Sequence, residues 1–281
     1  MPKIHSVQDI QSAVSLILKR HPIGVFDSGI GGLTVAAALS KRLPGEQLVY
    51  LGDTARVPYG TKSPDVIRRY AVRCSQFLVT LGAKILVIAC NTASACAVDS
   101  VRETLDRPVV GVIEPGARLA ARTTKNGRVG VIGTESTIAS GSYQRALADI
   151  DPHIRTFAAP CPLFVPLAEE GLTGHAATRL LAEEYLHPLV AKDIDTLVLG
   201  CTHYPLLSSV IEDVCGSGVA IINSADAVAE GVAECLSGAD LANDTEPDAH
   251  RFFATDVSTR VKRVGGAFLG STLGEVELVD L

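Results

Sequence analysis

Two cysteines of this 281-residue sequence are placed where they could do acid–base chemistry. Cys90 ends the apolar run ILVIAC and Cys201 ends the run TLVLGC, and small polar residues follow both. Such runs are typical of buried strands in a parallel sheet, and ligands bind at the carboxyl ends of those strands. A helix that begins after Cys90 would also stabilise its thiolate through the helix dipole. Both thiols are therefore predicted to lie at a binding site.

Two thiols that face each other across a substrate suit a racemisation. One thiol removes the Cα proton from one face, and the other supplies a proton to the opposite face. The ordinary pKa of cysteine, about 8.5, lies close enough to neutrality for modest local shifts to set one thiolate and one thiol. Asp27 and His203 are predicted to assist one thiol each. Buried cysteines usually act as small apolar residues, and this is predicted for the five without a counterpart in the other half: Cys74, Cys96, Cys161, Cys215 and Cys235.

Other kinds of site fit the sequence less well. A cysteine protease or transferase would use one thiol with its base and leave the second cysteine unexplained. A zinc site would require paired ligand spacing, and a pyridoxal enzyme would require a lysine after a strand end. The segment GVFDSGIGGLTVA has two glycines of a dinucleotide fingerprint, but Thr34 replaces the third and Asp27 would repel a pyrophosphate. We therefore predict neither a metal nor a cofactor.

Polar residues after the first two strand ends could contact a small substrate. The glycine turn after Asp27 could present backbone N–H groups to a carboxylate, or Asp27 and Ser28 could only cap the following helix. Tyr59 and Gly60 lie in a polar loop that could close over a substrate, although a plain turn accounts for them equally well.

Polar residues of the second half leave similar alternatives open. The hydroxyls of Thr134 and Thr137 could donate to a carboxylate or could cap a helix. The adjacent acids Glu169 and Glu170 in the segment PLAEEG are, by composition alone, most typical of a solvated surface loop.

The spacing of the apolar runs predicts an α/β fold built from two similar units. In the first half the runs end near Asp27, Asp53, Cys90 and Glu114, at steps of 26, 37 and 24 residues. In the second half they end near Thr134, Pro160, Cys201 and Ser224, at steps of 26, 41 and 23 residues. This similarity suggests duplication of one α/β unit, with the two cysteines facing each other across a cleft, although the limited range of βα lengths could also produce it.

Composition narrows the function classes and the cellular setting. The net charge of -6 and the lack of a basic run argue against a nucleic-acid partner, and no apolar stretch is long enough to span a bilayer. Seven cysteines without a CxxC pair, in a chain with 47% hydrophobic residues, indicate free thiols in a reducing cytoplasm. Residues 1–22 are predicted to form a helical N-terminal extension that begins near Ser6, because their apolar part is too short for a signal peptide.

Five motifs together closely resemble glutamate racemase of the Asp/Glu racemase superfamily: FDSGIGGLTV, VPYG, ACNTASA, VVGVIEPG and LGCTHYPLL. The resemblance covers residues from about Ile23 to Ser224. It implies a cofactor-independent isomerase that interconverts L- and D-glutamate and supplies D-glutamate for peptidoglycan synthesis in the bacterial cytoplasm. A related racemase, for example for aspartate, and a binding role without catalysis remain the alternatives.

The resemblance also implies roles for individual residues. Cys90 and Cys201 become the two acid–base groups, assisted by Asp27, His203 and an acid of PLAEEG, for which Glu170 is the choice. Leu172 stands where many relatives have a tryptophan after this segment. The implied contacts to substrate are Asp27, Ser28, Tyr59, Gly60, Asn91, Thr92, Thr134, Thr137, Thr202 and His203.

The family architecture implies two pseudo-symmetric three-layer α/β domains with mostly parallel sheets and an active site in the cleft between them. On this basis residues 23–114 with 225–281 form the first domain, and residues 115–224 form the second. The segment after Ser224 is predicted to contain a helix, a polar linker and a last strand in RFFATD. The implied partners are a small-molecule substrate and a second copy of the chain in a homodimer, with no nucleic acid and no membrane.

Overall fold

Two parallel β-sheets carry the predicted strand ends. The computed structural model describes residues 17–281. The strands are β1 (Ile23–Asp27), β2 (Leu48–Gly52), β3 (Ile85–Ile88), β4 (Val109–Gly111), β5 (Arg128–Gly133), β6 (Arg155–Pro160), β7 (Thr196–Gly200), β8 (Ala220–Asn223), β9 (Arg251–Ala254) and β10 (Val276–Leu278). The first sheet has the order β10-β9-β2-β1-β3-β4, and the second has the order β6-β5-β7-β8.

The two sheets repeat one arrangement. In each, the first strand of its half lies between the second and the third, so that β1 pairs with β2 and β3, and β5 pairs with β6 and β7. The central strands are fully buried, which explains their continuous apolar sequences. This agrees with the predicted pseudo-symmetric α/β class with parallel sheets.

Helices connect the strands, and they pack both between the two sheets and on the outer face of each sheet. They are α1 (Leu33–Arg42), α2 (Pro64–Thr80), α3 (Asn91–Thr104), α4 (Ile113–Thr123), α5 (Glu135–Ala139), α6 (Ser142–Ile150), α7 (Phe164–Glu169), α8 (Ala176–Val190), α9 (Ser208–Cys215), α10 (Ser224–Gly238) and α11 (Thr259–Leu269). Helix α10 packs against both α1 and α4. One hydrophobic cluster therefore joins residues of both sheets, such as Val25 and Val131.

The C-terminal segment contains more structure than the sequence indicated. Strand β9 forms where RFFATD predicted it, but α11 and β10 follow it. Helix α11 has Gly265 and Gly266 in its interior, which lowers its helix propensity, and β10 is a three-residue edge strand. Tertiary contacts stabilise α11, since Val261, Val264 and Phe268 are buried, and β10 is held by its parallel pairing with β9.

The strands of the first sheet lie within residues 23–111 and 251–278, and those of the second sheet lie within residues 128–223. The domain bounds proposed from the family architecture stay a prediction. Of the predicted extension, Ser6 lies outside the described residues, whereas residues 17–20 are helical. Lys19 pairs with Asp240 at 2.7 Å. Between residues 17 and 281, no helix combines the length and the apolar composition that are needed to cross a membrane.

Candidate active site

A cavity of about 510 Å³ lies between the two sheets, at the ends of their strands, and residues of both halves line it. Its size is within the usual range for small-molecule sites. Among the residues predicted for the site, the following line this cavity: Ser28, Tyr59, Gly60, Cys90, Asn91, Thr92, Thr134, Cys201, Thr202 and His203. Asp27 and Thr137 are buried and do not line it.

Cys90 follows strand β3 and is the N-cap residue of helix α3. Its sulfur accepts a hydrogen bond from the backbone N–H of Ala93 at 3.4 Å. Burial, with the Asp27 carboxylate, raises the pKa of the Cys90 thiol to about 12, and the hydrogen bonds of Ser28 and Ala93 only partly oppose this effect. Cys90 is therefore a protonated thiol at neutral pH, because the loss of solvation outweighs the helix N-terminus.

A chain of three side chains lies on the opposite wall. The Cys201 sulfur is 3.8 Å from His203 Nδ1, and His203 Nε2 is 2.9 Å from Glu169 Oε1. Burial lowers the pKa of His203, but the hydrogen bonds to Cys201 and Glu169 outweigh it, and the net effect raises the pKa to about 10. The ring is thus an imidazolium at neutral pH, and it can share a proton with Cys201.

The acid that supports His203 is Glu169 and not Glu170. Helix α7 ends at Glu169, which lines the cavity, and the next residue turns away, with its carboxylate 3.6 Å from Arg263. The structure thus places Glu169, and not the predicted Glu170, beside His203, because adjacent residues at a helix end point in different directions and a sequence does not give the direction of the helix relative to His203.

Exchanging these two acids for amides gives opposite expectations. Glu169→Gln removes a negative charge that raises the pKa of His203, so the imidazolium should lose its proton at lower pH than in the parent protein. Glu170→Gln should leave the titration of His203 unchanged. NMR titration of the His203 ring measures both variants, and an equal effect of the two substitutions would contradict the assignment of Glu169.

Asp27 lies behind the cavity wall. Its Oδ2 accepts from the backbone N–H of Gly29 at 2.9 Å, and its Oδ1 has no hydrogen-bond partner among the groups that the structure describes. Burial raises the pKa of the Asp27 carboxyl, while backbone N–H groups and His203 oppose this effect. Asp27 thus acts on Cys90 through its charge and on the glycine turn through its hydrogen bond.

Three threonine hydroxyls from the two halves meet beside Cys90. Thr92 Oγ1 is 2.9 Å from Thr134 Oγ1 and 3.2 Å from Thr137 Oγ1, and the latter two are 2.9 Å apart. Thr134 caps helix α5 and also lines the cavity. The two roles that the sequence left as alternatives therefore apply to it together. Thr137 holds the other two hydroxyls in place from behind.

The loop with Tyr59 and Gly60 forms the cavity rim. The Tyr59 hydroxyl donates to Asp53 Oδ2, and the Gly60 carbonyl accepts from Ser136 of the other half. The Asp53 carboxylate also accepts from Thr255 at 2.9 Å. The loop is therefore fixed to the first sheet and to helix α5, and Asp53 has a structural role here.

Sequence reasoning missed two residues that contact His203. The Phe268 ring of helix α11 meets the His203 ring edge-on, with centroids 5.0 Å apart. A Cβ atom at Gly31 would lie only 2.4 Å from His203 Cε1 and from Thr202 Oγ1. The glycine could have been noticed in the motif FDSGIGG, whereas Phe268 has no local signal, because only the fold brings α11 to this site.

Comparisons with known proteins agree with this geometry. A profile of the Asp/Glu/Hydantoin racemase family matches residues 33–232. The glutamate racemase of Geobacter metallireducens is 53% identical over 260 residues, which cover 92% of this chain and 96% of that protein. The chain belongs to the Asp/Glu/hydantoin racemase family. It is therefore an isomerase, and the resemblance to glutamate racemase given by the five motifs is confirmed.

Solved structures of this racemase family share the fold. A glutamate racemase isoform from Bacillus anthracis superposes with a TM-score of 0.90 at 40% identity, covering 94% of this chain and 98% of that one. Glutamate racemase from Francisella tularensis, in complex with D-glutamate, gives a TM-score of 0.88 at 39% identity, covering 93% and 98%. These likenesses support two α/β domains with a cleft between them.

Proposed function

We propose that this racemase interconverts L- and D-glutamate with two thiols and no cofactor. The observation that carries the proposal is the placement of Cys90 and Cys201 on one cavity, at the ends of the corresponding strands β3 and β7. Glutamate is the proposed substrate because the curated relatives are glutamate racemases and one solved relative holds D-glutamate.

The protonation states of His203 and Cys90 assign a role to each thiol in one direction of the reaction. The pKa of His203 is raised to about 10, so its ring is positively charged and lies 3.8 Å from the Cys201 sulfur. In one direction Cys201 therefore accepts the Cα proton of the bound amino acid. Cys90, with its raised pKa, is the thiol that gives its proton to the opposite face of Cα. One C–H bond breaks and one forms, with inversion at Cα and no change in oxidation state. The reverse direction starts with the thiolate on Cys90.

Hydrogen-bond donors of both halves would hold the two carboxylates of glutamate. The cavity presents the hydroxyls of Ser28, Thr92, Thr134 and Thr202 and the amide of Asn91. The hydroxyl donors of this set stabilise the charge that develops on the α-carboxylate when the proton leaves, and the Asn91 amide holds a carboxylate equally in the ground state and the transition state. Supply of D-glutamate for peptidoglycan in the cytoplasm, and assembly as a homodimer, belong to the same proposal.

Proton exchange in heavy water tests the proposed activity. The purified protein without added cofactor is given L- or D-glutamate, and NMR and circular dichroism follow Cα deuterium and optical rotation. We expect both enantiomers to converge on the racemate with deuterium at Cα. Inertness towards glutamate but turnover of aspartate would establish the alternative substrate, and inertness towards both would leave a binding role.

A further inference from the structure

We propose that the Tyr143 hydroxyl is a positioning group that orients the Asn91 amide towards a substrate carboxylate. The inference rests on the proposed glutamate racemase function and assigns a role to a residue outside the cavity wall. Tyr143 lies on helix α6 of the second half, whereas Asn91 begins helix α3 of the first half, directly after Cys90. The contact thus links the two halves at the catalytic centre.

The hydrogen bond is short and fully buried. The Tyr143 hydroxyl donates to Asn91 Oδ1 at 2.7 Å, and the two residues are only 1% and 3% exposed. Small neighbours leave room for the phenol ring: a Cβ atom at Gly116 would lie 3.4 Å from the hydroxyl, and one at Gly200 would lie 3.2 Å from the ring. The backbone around the ring is therefore shaped to hold it in this place.

The nitrogen of the Asn91 amide has no partner among the side chains and backbone groups that the structure describes. This atom, Nδ2, is buried, although Asn91 lines the cavity. A buried polar group without a partner costs free energy, and a ligand that accepts from it recovers this cost. Nδ2 carries only donors, so the group that it fits is an acceptor such as a carboxylate oxygen.

The hydrogen bond from Tyr143 fixes which end of the Asn91 amide is left unpaired for a substrate. Among its contacts with the described residues, the phenol proton finds its acceptor in Asn91 Oδ1. If the amide were turned over, Nδ2 would meet the hydroxyl, the phenol proton would lose its acceptor, and Oδ1 would face the substrate carboxylate and repel it. Burial raises the pKa of Tyr143, so the hydroxyl keeps its proton through the physiological range.

Tyr143→Phe isolates this role, because it keeps the ring and removes only the donor. We expect KM for L- and D-glutamate to rise about tenfold, since Asn91 Oδ1 then has to stay unpaired whenever Nδ2 binds the carboxylate. The turnover number kcat should stay within about twofold, because ground state and transition state lose the same contact. In an Asn91→Ala background, Tyr143→Phe should raise KM no further.

The matched control is Tyr204→Phe, which removes another buried hydroxyl from the second half. That hydroxyl donates to the Cys161 carbonyl at 2.8 Å, so the variant should lose thermal stability with KM unchanged. An unchanged KM in Tyr143→Phe, or an equal rise in Tyr204→Phe, would overturn the inference. If the parent protein racemises neither enantiomer, the proposed function fails instead.

A measurement on the parent protein keeps the inference testable if Tyr143→Phe does not fold. The side-chain NH₂ resonances of Asn91 in 15N-labelled protein should shift on addition of D-glutamate, because both protons belong to the nitrogen that is proposed to bind the carboxylate. NH₂ resonances that do not respond to saturating D-glutamate would contradict the proposed orientation.

Discussion

Cys90→Ala and Cys201→Ala should each lower the rate of glutamate racemisation by about 10³-fold or more, in both directions. A positioned acid or base contributes about 10² to 10⁴ in rate, and each direction of the proposed reaction needs one thiolate and one thiol on opposite faces of Cα. Loss of either sulfur therefore stops inversion whichever enantiomer is supplied. Circular dichroism of L- and D-glutamate with each variant measures the effect.

The two variants can also be told apart. A remaining thiol can remove the Cα proton of the enantiomer that points at it, exchange with heavy water and return a deuteron to the same face. Any residual deuterium incorporation should thus enter one enantiomer in Cys90→Ala and the other enantiomer in Cys201→Ala. Incorporation into the same enantiomer by both variants would contradict two thiols on opposite faces.

Cys215→Ala is the control for the loss of a buried thiol. Cys215 ends helix α9 inside the hydrophobic cluster of the second sheet and does not line the cavity. Its substitution should lower stability slightly through the small volume that is lost, with racemisation unchanged. A loss of activity comparable to that of the catalytic variants would show that any buried cysteine of this chain is needed for folding.

The sequence predicted those parts of the site that follow directly from strand ends. Cys90 and Cys201 stand after apolar runs, and the rule that ligands bind at carboxyl ends of parallel strands places both at one edge. Their local signal was sufficient because strand and site residue are adjacent in the chain.

Residues that reach the site from elsewhere could not be predicted in this way. The choice between Glu169 and Glu170 depends on the direction of one helix. The contact of Phe268 with His203 depends on helix α11, which the sequence does not predict because of its two internal glycines. The role of Tyr143 depends on a contact between residues 52 positions apart in two halves of the fold. Each of these is a tertiary relation that local patterns do not contain.

Gly31→Ala should reduce kcat/KM for glutamate by about 10²-fold while the fold is retained. The added methyl carbon would lie 2.4 Å from His203 Cε1 and from Thr202 Oγ1, a distance at which atoms of the opposite half have to move away. A displacement of about 1 Å in a catalytic group can cost about 10² in rate. Steady-state kinetics measure the loss, and thermal unfolding verifies that the variant is folded.

The backbone at Gly31 does not by itself require glycine. Its φ is not among the left-handed values of this chain, so alanine can adopt the same conformation and the effect comes from the contact alone. Gly274→Ala is the matched control, because its φ is likewise ordinary and a Cβ there meets nothing within 4 Å. Activity equal to that of the parent protein in Gly31→Ala would show that the halves do not need this close approach.

The expected loss follows from how the site is divided between the two halves. His203 belongs to the second half, but its ring rests against Gly31 and Phe268 of the first, on the side of the cleft that carries Cys90. A methyl group at position 31 would push against the second half and displace the His203 ring, which shares a proton with Cys201. Substrate binding and proton transfer should therefore both weaken, so that KM rises and kcat falls together in Gly31→Ala, in contrast to the effect on KM alone expected for Tyr143→Phe.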